Sequence, residues 1–281
     1  MFKRNLIFYG YHDNWSKLYD KNNYMNHLSD IINDVKIFTD IPTLKHYLKT
    51  EGQNYKNYIL PSITDHIREL NKAGINSLFK IDSGWLDRLD DKKKFAEYSI
   101  EEKLTAYIPR IYSKWCDRSS NTLVIIKPSI GAYSYGVSKK KLNEVQNWEF
   151  DESVVQEYIK DPIEYAGYFV VYNGNITHSF AYKGNHGNGE FIKCEDGVFD
   201  TTPKTRVTLD DKIVKQLELF LKPTLFTGTC CFDFKIKDGN LKVFEINPRL
   251  GGSLTLEENR KDLTDIVRKL IEIYDQRNVY N

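Results

Sequence analysis

Apolar and polar residues alternate with a period of two along two adjoining runs, Thr229 to Lys237 and Leu241 to Asn247. Strands show this period because successive side chains point to opposite faces of a sheet. Between the runs, Asp238-Gly239-Asn240 has the composition of a hairpin turn. Phe232 and Phe234 are therefore predicted to face a core with Asp233 on the other side, and Phe244 and Ile246 to face it with Glu245 and Asn247 opposite. A three-residue loop sets Asp233 against Glu245, Phe234 against Phe244 and Phe232 against Ile246. A two-residue turn sets Asp233 against Phe244 and mixes the faces. The longer loop or a bulge is the expected connection.

Upstream, the short apolar runs Asn5 to Gly10, Val35 to Phe38 and Asn57 to Leu60 alternate with helix-like stretches, the pattern of a small parallel α/β unit. Ser62-Ile63-Thr64-Asp65 reads as a capping box for a helix with Ile63, Ile67 and Leu70 on one face, ended by Gly74. A second helical stretch, headed by Asp91-Lys92-Lys93-Lys94-Phe95, runs to Ile108–Arg110. Leu123 to Lys127 and Val154 to Ile159 are apolar strands, and Glu164 to Lys183 gives two strands joined by Asn173-Gly174-Asn175. Thr208 to Asp211 forms another capping box, starting a helix that carries Ile213, Val214, Leu217 and Phe220 inward and stops before Pro223. Leu263, Ile266, Val267, Leu270 and Ile271 recur at helical spacing, so an amphipathic helix closes the chain.

At 281 residues the chain can bury a sizeable core. Its 40 basic and 39 acidic residues leave a net charge of +1, which argues against nucleic acid or an anionic membrane as a partner. Mean hydropathy is -0.53, no run reaches the roughly 18 apolar residues of a membrane span, and Met1 to Gly10 lacks a signal peptide's apolar core. A cytoplasmic protein is expected. The cysteines at 116, 194, 230 and 231 form neither a C-x-x-C pair nor a disulfide framework, and Cys230 and Cys231 read as core filler. Without H-E-x-x-H or G-x-S-x-G, the commonest metalloprotease and serine-hydrolase readings fall away. The first loop, Gly10-Tyr11-His12-Asp13, lacks a dinucleotide-binding G-x-G-x-x-G.

Three stretches carry candidate chemistry. Asp233, Glu245 and Asn247, with Arg249 two residues beyond, make an oxygen-only donor set of the kind Mg²⁺ takes beside nucleotide phosphates. The same spacing also describes the solvated face of an edge hairpin, and Lys92-Lys93-Lys94 is by itself a solvated helix face. Lys127-Pro128 ends a strand and leads into Ser129 to Val137, whose two glycines have P-loop spacing, but Val137 and Ser138 stand where a P-loop needs Lys and Ser/Thr. What remains is a lysine at a strand end and a flexible loop whose N–H groups can fold over phosphates. Gly184 to Gly189, rich in glycine and asparagine and including His186, reads as a lid loop.

Taken in order, D-K-K-K-F at 91–95, V-I-I-K-P at 124–128 with its Gly loop, V-Q-E-Y-I at 155–159 and E-I-N-P-R-L-G-G-S at 245–253 resemble the motifs of the ATP-grasp superfamily. The type resembled is the carboxylate–amine ligase, with D-alanine–D-alanine ligase, biotin carboxylase and carbamoyl phosphate synthetase as relatives. The resemblance implies an α/β fold with a small N-terminal parallel unit over residues 1–88 and an ATP-grasp domain over 89–281, divided into a lid subdomain (89–160) and a metal-binding subdomain (161–281). The nucleotide would be clamped between two β-sheets.

By the same resemblance Lys127 and Lys92, or Lys94 in place of Lys92, meet the phosphates of ATP, and Lys183 supplies a third cation. The hinge strand with Gln156, Glu157 and Ile159 pairs with the adenine edge, while Glu157 and Glu164, seven residues apart, meet the purine and the ribose hydroxyls. After the hinge, where many relatives carry glycine, this chain has Asp161-Pro162. Asp233, Glu245 and Asn247 would hold two Mg²⁺ ions, for which Mn²⁺ can substitute. Arg249 would be catalytic at the acyl phosphate, and Gly251, Gly252 and Ser253 would offer N–H groups to an anionic substrate at a helix start. The implied activity is ADP-forming ligation of a small-molecule carboxylate to an amine, an amino acid or peptide, through an acylphosphate. A phosphotransferase and a non-catalytic nucleotide-binding module are the alternatives on the same fold. Many relatives are dimers, which makes a homodimer an implied assembly, though no interface is legible in the chain.

Overall fold

A computed structural model describes residues 3–119, 121–131, 135–187 and 202–277. Ala132, Tyr133 and Ser134 of the Gly/Ser loop, Asn188 and Gly189 of the lid sequence, and Cys194 lie outside the described residues.

The first three strands, β1 (Lys3–Tyr9), β2 (Asp34–Phe38) and β3 (Tyr55–Pro61), form a parallel sheet in the order β2-β1-β3. Leu6, Ile7, Phe8 and Tyr9 of the central strand are all buried, because helices cover both faces of a parallel sheet. These are α1 (Lys21–Leu28), α2 (Ile41–Lys49) and α3 (Thr64–Ala73). The α3 helix ends at Gly74 as predicted, but the capping box at its start does not form. Ile63 occupies the cap position without a side-chain bond. Ser62 is instead drawn inward, donating its hydroxyl to the Gly10 carbonyl (3.1 Å) and accepting from the Tyr19 hydroxyl (3.0 Å).

Two helices follow, α4 (Ser83–Asp90) and α5 (Lys92–Glu101). The second is shorter than its periodicity suggests, since Lys103 adopts a left-handed φ of 59° that turns the chain away. Next comes an antiparallel sheet of β4 (Ile111–Tyr112), β5 (Leu123–Pro128), β6 (Ser138–Lys141) and β7 (Ser153–Glu157), in the order β4-β7-β5-β6. Val124, Ile126 and Val155 pack against Leu142, Val145 and Phe150, the last from α6 (Asn147–Glu152). Alternation sends Ile125, Lys127 and Gln156 to the other face.

The largest sheet contains β8 (Ile163–Tyr172), β9 (Asn175–Asn185), β10 (Lys204–Val207), β11 (Gly228–Lys237) and β12 (Asn240–Asn247), antiparallel in the order β10-β9-β8-β11-β12. On one face Phe169 and Phe232 pack edge-on, with Phe220 and Phe95 behind them. Phe220 follows α7 (Asp211–Glu218), which is capped by Asp210 accepting from the Lys212 N–H (2.7 Å), not by Thr208. Tyr168, Phe180 and Tyr182 cluster on the opposite face. There α8 (Arg260–Arg277) closes the fold, with Leu263, Ile266, Val267, Leu270 and Ile271 buried and Asp262 accepting from the Tyr182 hydroxyl (2.6 Å). Among the described residues no helix is long and apolar enough to cross a membrane.

The β11–β12 hairpin joins through a two-residue turn, with Asp238 and Gly239 both at positive φ (51° and 74°), the geometry of a tight hairpin turn. Lys237 then pairs with Asn240 and Phe234 with Val243, while beyond a bulge Asp233 pairs with Glu245 and Phe232 with Ile246. The bulge keeps the acids opposite one another despite the short turn. Its extra residue is Phe244, which was predicted to face the core and instead stands on the polar side.

Candidate active site

Residue parity on the two strands assembles one wall of a cleft. Cys231, Asp233 and Lys235 of β11 face the same way, β8 adds Glu164, Ala166 and Tyr168, and the bulge turns Phe244, Glu245 and Asn247 of β12 to join them. All nine line a cavity of about 350 Å³. The four-stranded sheet supplies the facing wall with Ile125, Lys127, Gln156 and Glu157, and Tyr158 and Ile159 follow where the chain crosses between the sheets. The N-terminal unit closes one end with His12, Trp15 and Ile63.

Lys92 reaches this cleft because of how α5 begins. The Asp91 carboxylate caps the helix, accepting from the N–H groups of Lys93 (2.8 Å) and Lys94 (3.1 Å), and also accepts from the Ser129 hydroxyl (2.6 Å). The Lys92 N–H donates to the Ser129 carbonyl (2.9 Å), which ties the helix start to the end of β5. The Lys92 ammonium then lies 3.2 Å from Glu245 and donates to the Gly131 carbonyl (3.0 Å). Lys94 sits about 200° further round the helix and points to Asp87 (3.9 Å) outside the cleft.

Lys127 stands over the ring of Phe244, 4.9 Å from its centroid. Removal from water lowers its pKa below the ordinary lysine value; Glu245, Glu164 and Asp233 oppose that shift and the Lys92 charge adds to it. Asn247 donates its amide to Glu245 (3.4 Å) and accepts from Arg249 (3.1 Å), while Arg249 also donates to the Leu250 carbonyl (2.8 Å) and lies over the Trp15 ring at 5.2 Å. Tyr168 and Ser253 share a hydroxyl–hydroxyl hydrogen bond, and burial pushes the tyrosine pKa well above its ordinary value. Gly251 is required there, because a Cβ would stand 2.5 Å from the Tyr168 ring and 3.1 Å from the Cys231 sulfur. The helix start expected after Gly251 is a short 3₁₀ turn, Gly252–Thr255.

Of the residues singled out in the sequence, Lys92, Lys127, Gln156, Glu157, Ile159, Glu164, Asp233, Glu245, Asn247, Arg249, Gly251, Gly252 and Ser253 come together on this cleft. Lys183 does not. It pairs with Tyr165, whose partner is Phe234, and so faces away from Asp233; the lysine on the cleft side is Lys204, paired with Gly184. His186 is likewise not among the lining residues and hydrogen-bonds with Thr202 (3.2 Å). Sequence reasoning missed Lys235, Lys204, Tyr168, His12 and Trp15. Only Lys235 had a local signal, its two-residue offset from Asp233.

A metal would find oxygen donors here. Among the described residues no group of three or more His, Cys, Asp or Glu side chains could hold an ion, so Asp233, Glu245 and Asn247 would need further ligands from a nucleotide. That is how Mg²⁺ is commonly bound, and the set fits it.

A family model described as an ATP-grasp domain matches residues 90–253, more than half of the chain. Among solved structures, D-alanine–D-alanine ligase from Bacillus anthracis superposes with a TM-score of 0.64 at 15% identity, covering 100% of both chains. The L-amino acid ligase from Bacillus licheniformis gives 0.59 at 13% identity, over 90% of this chain and 69% of that one. The D-cycloserine synthetase DcsG gives 0.58 at 11%, over 95% and 99%. No curated protein sequence matches the chain.

Proposed function

Because the chain belongs to the ATP-grasp family, we propose that it is an ADP-forming ligase that activates a substrate carboxylate with ATP and joins it to an amine. The observation that carries this reading is the convergence on one cleft of Lys92, Lys127, Asp233, Glu245, Asn247 and Arg249, drawn from the start of α5, from both sheets and from the residues just after β12. Phosphoryl transfer depends on positioning and charge neutralisation more than on covalent help, and the cleft has no need of a nucleophilic side chain for it.

In this reading Lys92 and Lys127 hold the phosphates of ATP, Gln156, Glu157 and Ile159 border the base, and Glu164 meets the ribose. Asp233, Glu245 and Asn247 would hold Mg²⁺, which when bound neutralises phosphate charge. The Lys92 ammonium lies 3.2 Å from one carboxylate oxygen of Glu245. Arg249, held by Asn247 and stacked on Trp15, stabilises the negative charge of the acylphosphate and of the intermediate formed when the amine attacks. Ser253 and the Gly252 N–H border the carboxylate substrate beside His12 and Trp15. The solved structures of similar fold include ligases named for amino acids, which supports amino acids or short peptides as the first substrates to try.

The test is ADP release with Mg²⁺ and ATP against amino acids and short peptides, each with and without an amine, products being weighed by mass spectrometry. Release that requires both partners and yields their condensation product is expected. A stable phosphorylated product formed from one substrate alone would move the assignment to a phosphotransferase.

A further inference from the structure

A buried lysine stands at the crossing between the two sheets. Lys235 is 4% exposed, lines the cleft, and lies two residues beyond Asp233 on the same face of β11. Its ammonium donates to the carbonyls of Asp161 (2.8 Å) and Ile159 (3.3 Å). Burying an ammonium is costly unless its donors are satisfied, whereas an apolar side chain could fill the same space without that cost. The charge at this position therefore asks for a task.

Those carbonyls belong to the segment that leaves β7 in the four-stranded sheet and enters β8 in the five-stranded one. It carries no glycine, and Pro162 has no N–H to contribute. Along it, the Glu157 N–H donates to the Arg110 carbonyl (2.8 Å), the Tyr158 N–H to the Leu123 carbonyl (3.2 Å), and the Pro162 carbonyl accepts from the His186 N–H (2.7 Å). The Ile163 N–H donates to the Asp161 carboxylate (2.8 Å). The bonds from Lys235 differ from these in origin, because they come from the strand that carries Asp233. One strand thus fixes an acid near the middle of the cleft and, two residues on, the backbone at its crossing.

We propose that Lys235 is a positioning residue for the nucleotide base, holding the Ile159 and Asp161 carbonyls so that the hinge presents its backbone donors and acceptors to the purine edge. The inference rests on the reading of the cleft as an ATP site. Hydrogen bonds weaken steeply once misaligned, so a hinge free to rotate reads a base poorly. A carbonyl oxygen has two lone pairs, so Ile159 can accept from Lys235 and from an exocyclic amino group at once.

The experiment compares binding of ADP and of inorganic tripolyphosphate, both with Mg²⁺, to the wild-type chain and to Lys235→Met by calorimetry. Tripolyphosphate has no base to read. Loss of two bonds from a charged donor is expected to weaken ADP roughly ten-fold or more and leave tripolyphosphate unchanged. Lys235→Gln, which returns an N–H donor, should recover part of the ADP affinity, and it carries the same comparison if the methionine variant does not fold. Equal weakening of both ligands, or of neither, overturns the proposal. A wild-type chain that holds tripolyphosphate but gains nothing from the adenosine of ADP overturns the nucleotide reading itself, whatever Lys235 does.

Discussion

The two walls of the cleft are built on very different foundations. The five-stranded sheet sits in the main core, where Phe169, Phe232 and Phe234 are fully buried and helices cover both faces. The four-stranded sheet has a separate cluster of six side chains, Val124, Ile126, Leu142, Val145, Phe150 and Val155. Around it large apolar groups lie open to solvent, Trp115 at 85% exposure and Trp148 at 59%. The acids and Arg249, on whose geometry the proposed chemistry depends, stand on the deep foundation, and Lys127 stands on the shallow one. Local stability follows buried contacts, so the Lys127 wall should open at lower free energy than the Asp233 wall.

The largest effect expected is on the deep side. Glu245→Gln keeps the shape of the side chain and removes its charge, and should lower ADP release by about 10²-fold or more while leaving the melting temperature nearly unchanged. A variant that keeps more than a tenth of the wild-type rate would take Glu245 out of the chemistry. Next comes a paired test of the two foundations. Phe232→Ala should destabilise the whole protein by about 3–5 kcal/mol, read by chemical denaturation. Phe150→Ala should instead speed amide exchange in β5 and β7 while exchange in β8 and β11 keeps its wild-type rate. Equal acceleration in both sheets would mean that the walls unfold as one unit and would erase the contrast.

A smaller effect sharpens the same point through pH. Glu149, on the shallow side, accepts from Lys140 (2.7 Å) and from the Gln146 N–H (2.8 Å). Although burial works the other way, these bonds hold its pKa below the ordinary glutamate value. A lowered folded-state pKa means that the unfolded chain binds the proton more readily, so the contribution to stability is present above the ordinary value and is lost as pH falls through the depressed one. Amide exchange in β5 to β7 should therefore accelerate below about pH 4, and Glu149→Gln should flatten that dependence. An unchanged acid slope in the variant would assign the effect to other carboxylates.

Most of the strands and the C-terminal helix were legible because burial of one face imposes a period, and Phe232, Phe234, Leu263 and Ile266 keep it. The connection in the β11–β12 hairpin was not, for a physical reason: a three-residue loop and a two-residue turn with a bulge both set Asp233 against Glu245, and the residue pattern is the same for either. Phe244 paid no heed to hydrophobicity because the bulge, not its side chain, chose its face. Ser62 and Thr208 failed as caps since tertiary bonds claimed the one and the adjacent Asp210 displaced the other. Within the cleft, motif order located the residues of β5, β7, β11 and β12, while Lys183 was misplaced by one step of strand parity. Trp15 and His12 approach from more than two hundred residues before Arg249, and nothing local in the chain announces that approach.

The smallest effect separates two neighbours on one helix. Lys92 and Lys94 were indistinguishable as a run of charge, yet the cap at Asp91 aims only the first into the cleft. Lys94→Ala should leave Mg²⁺·ADP affinity within about two-fold of wild type, since an exposed ion pair with Asp87 contributes little. Lys92→Ala should weaken binding at least ten-fold, roughly the worth of one charge-assisted contact to phosphate. The ratio between the two variants matters more than either value. A ratio near one would mean that Lys92 only braces Glu245 and the loop at Gly131, and that the deep wall, rather than the helix leading to the shallow one, supplies the charge for the phosphates.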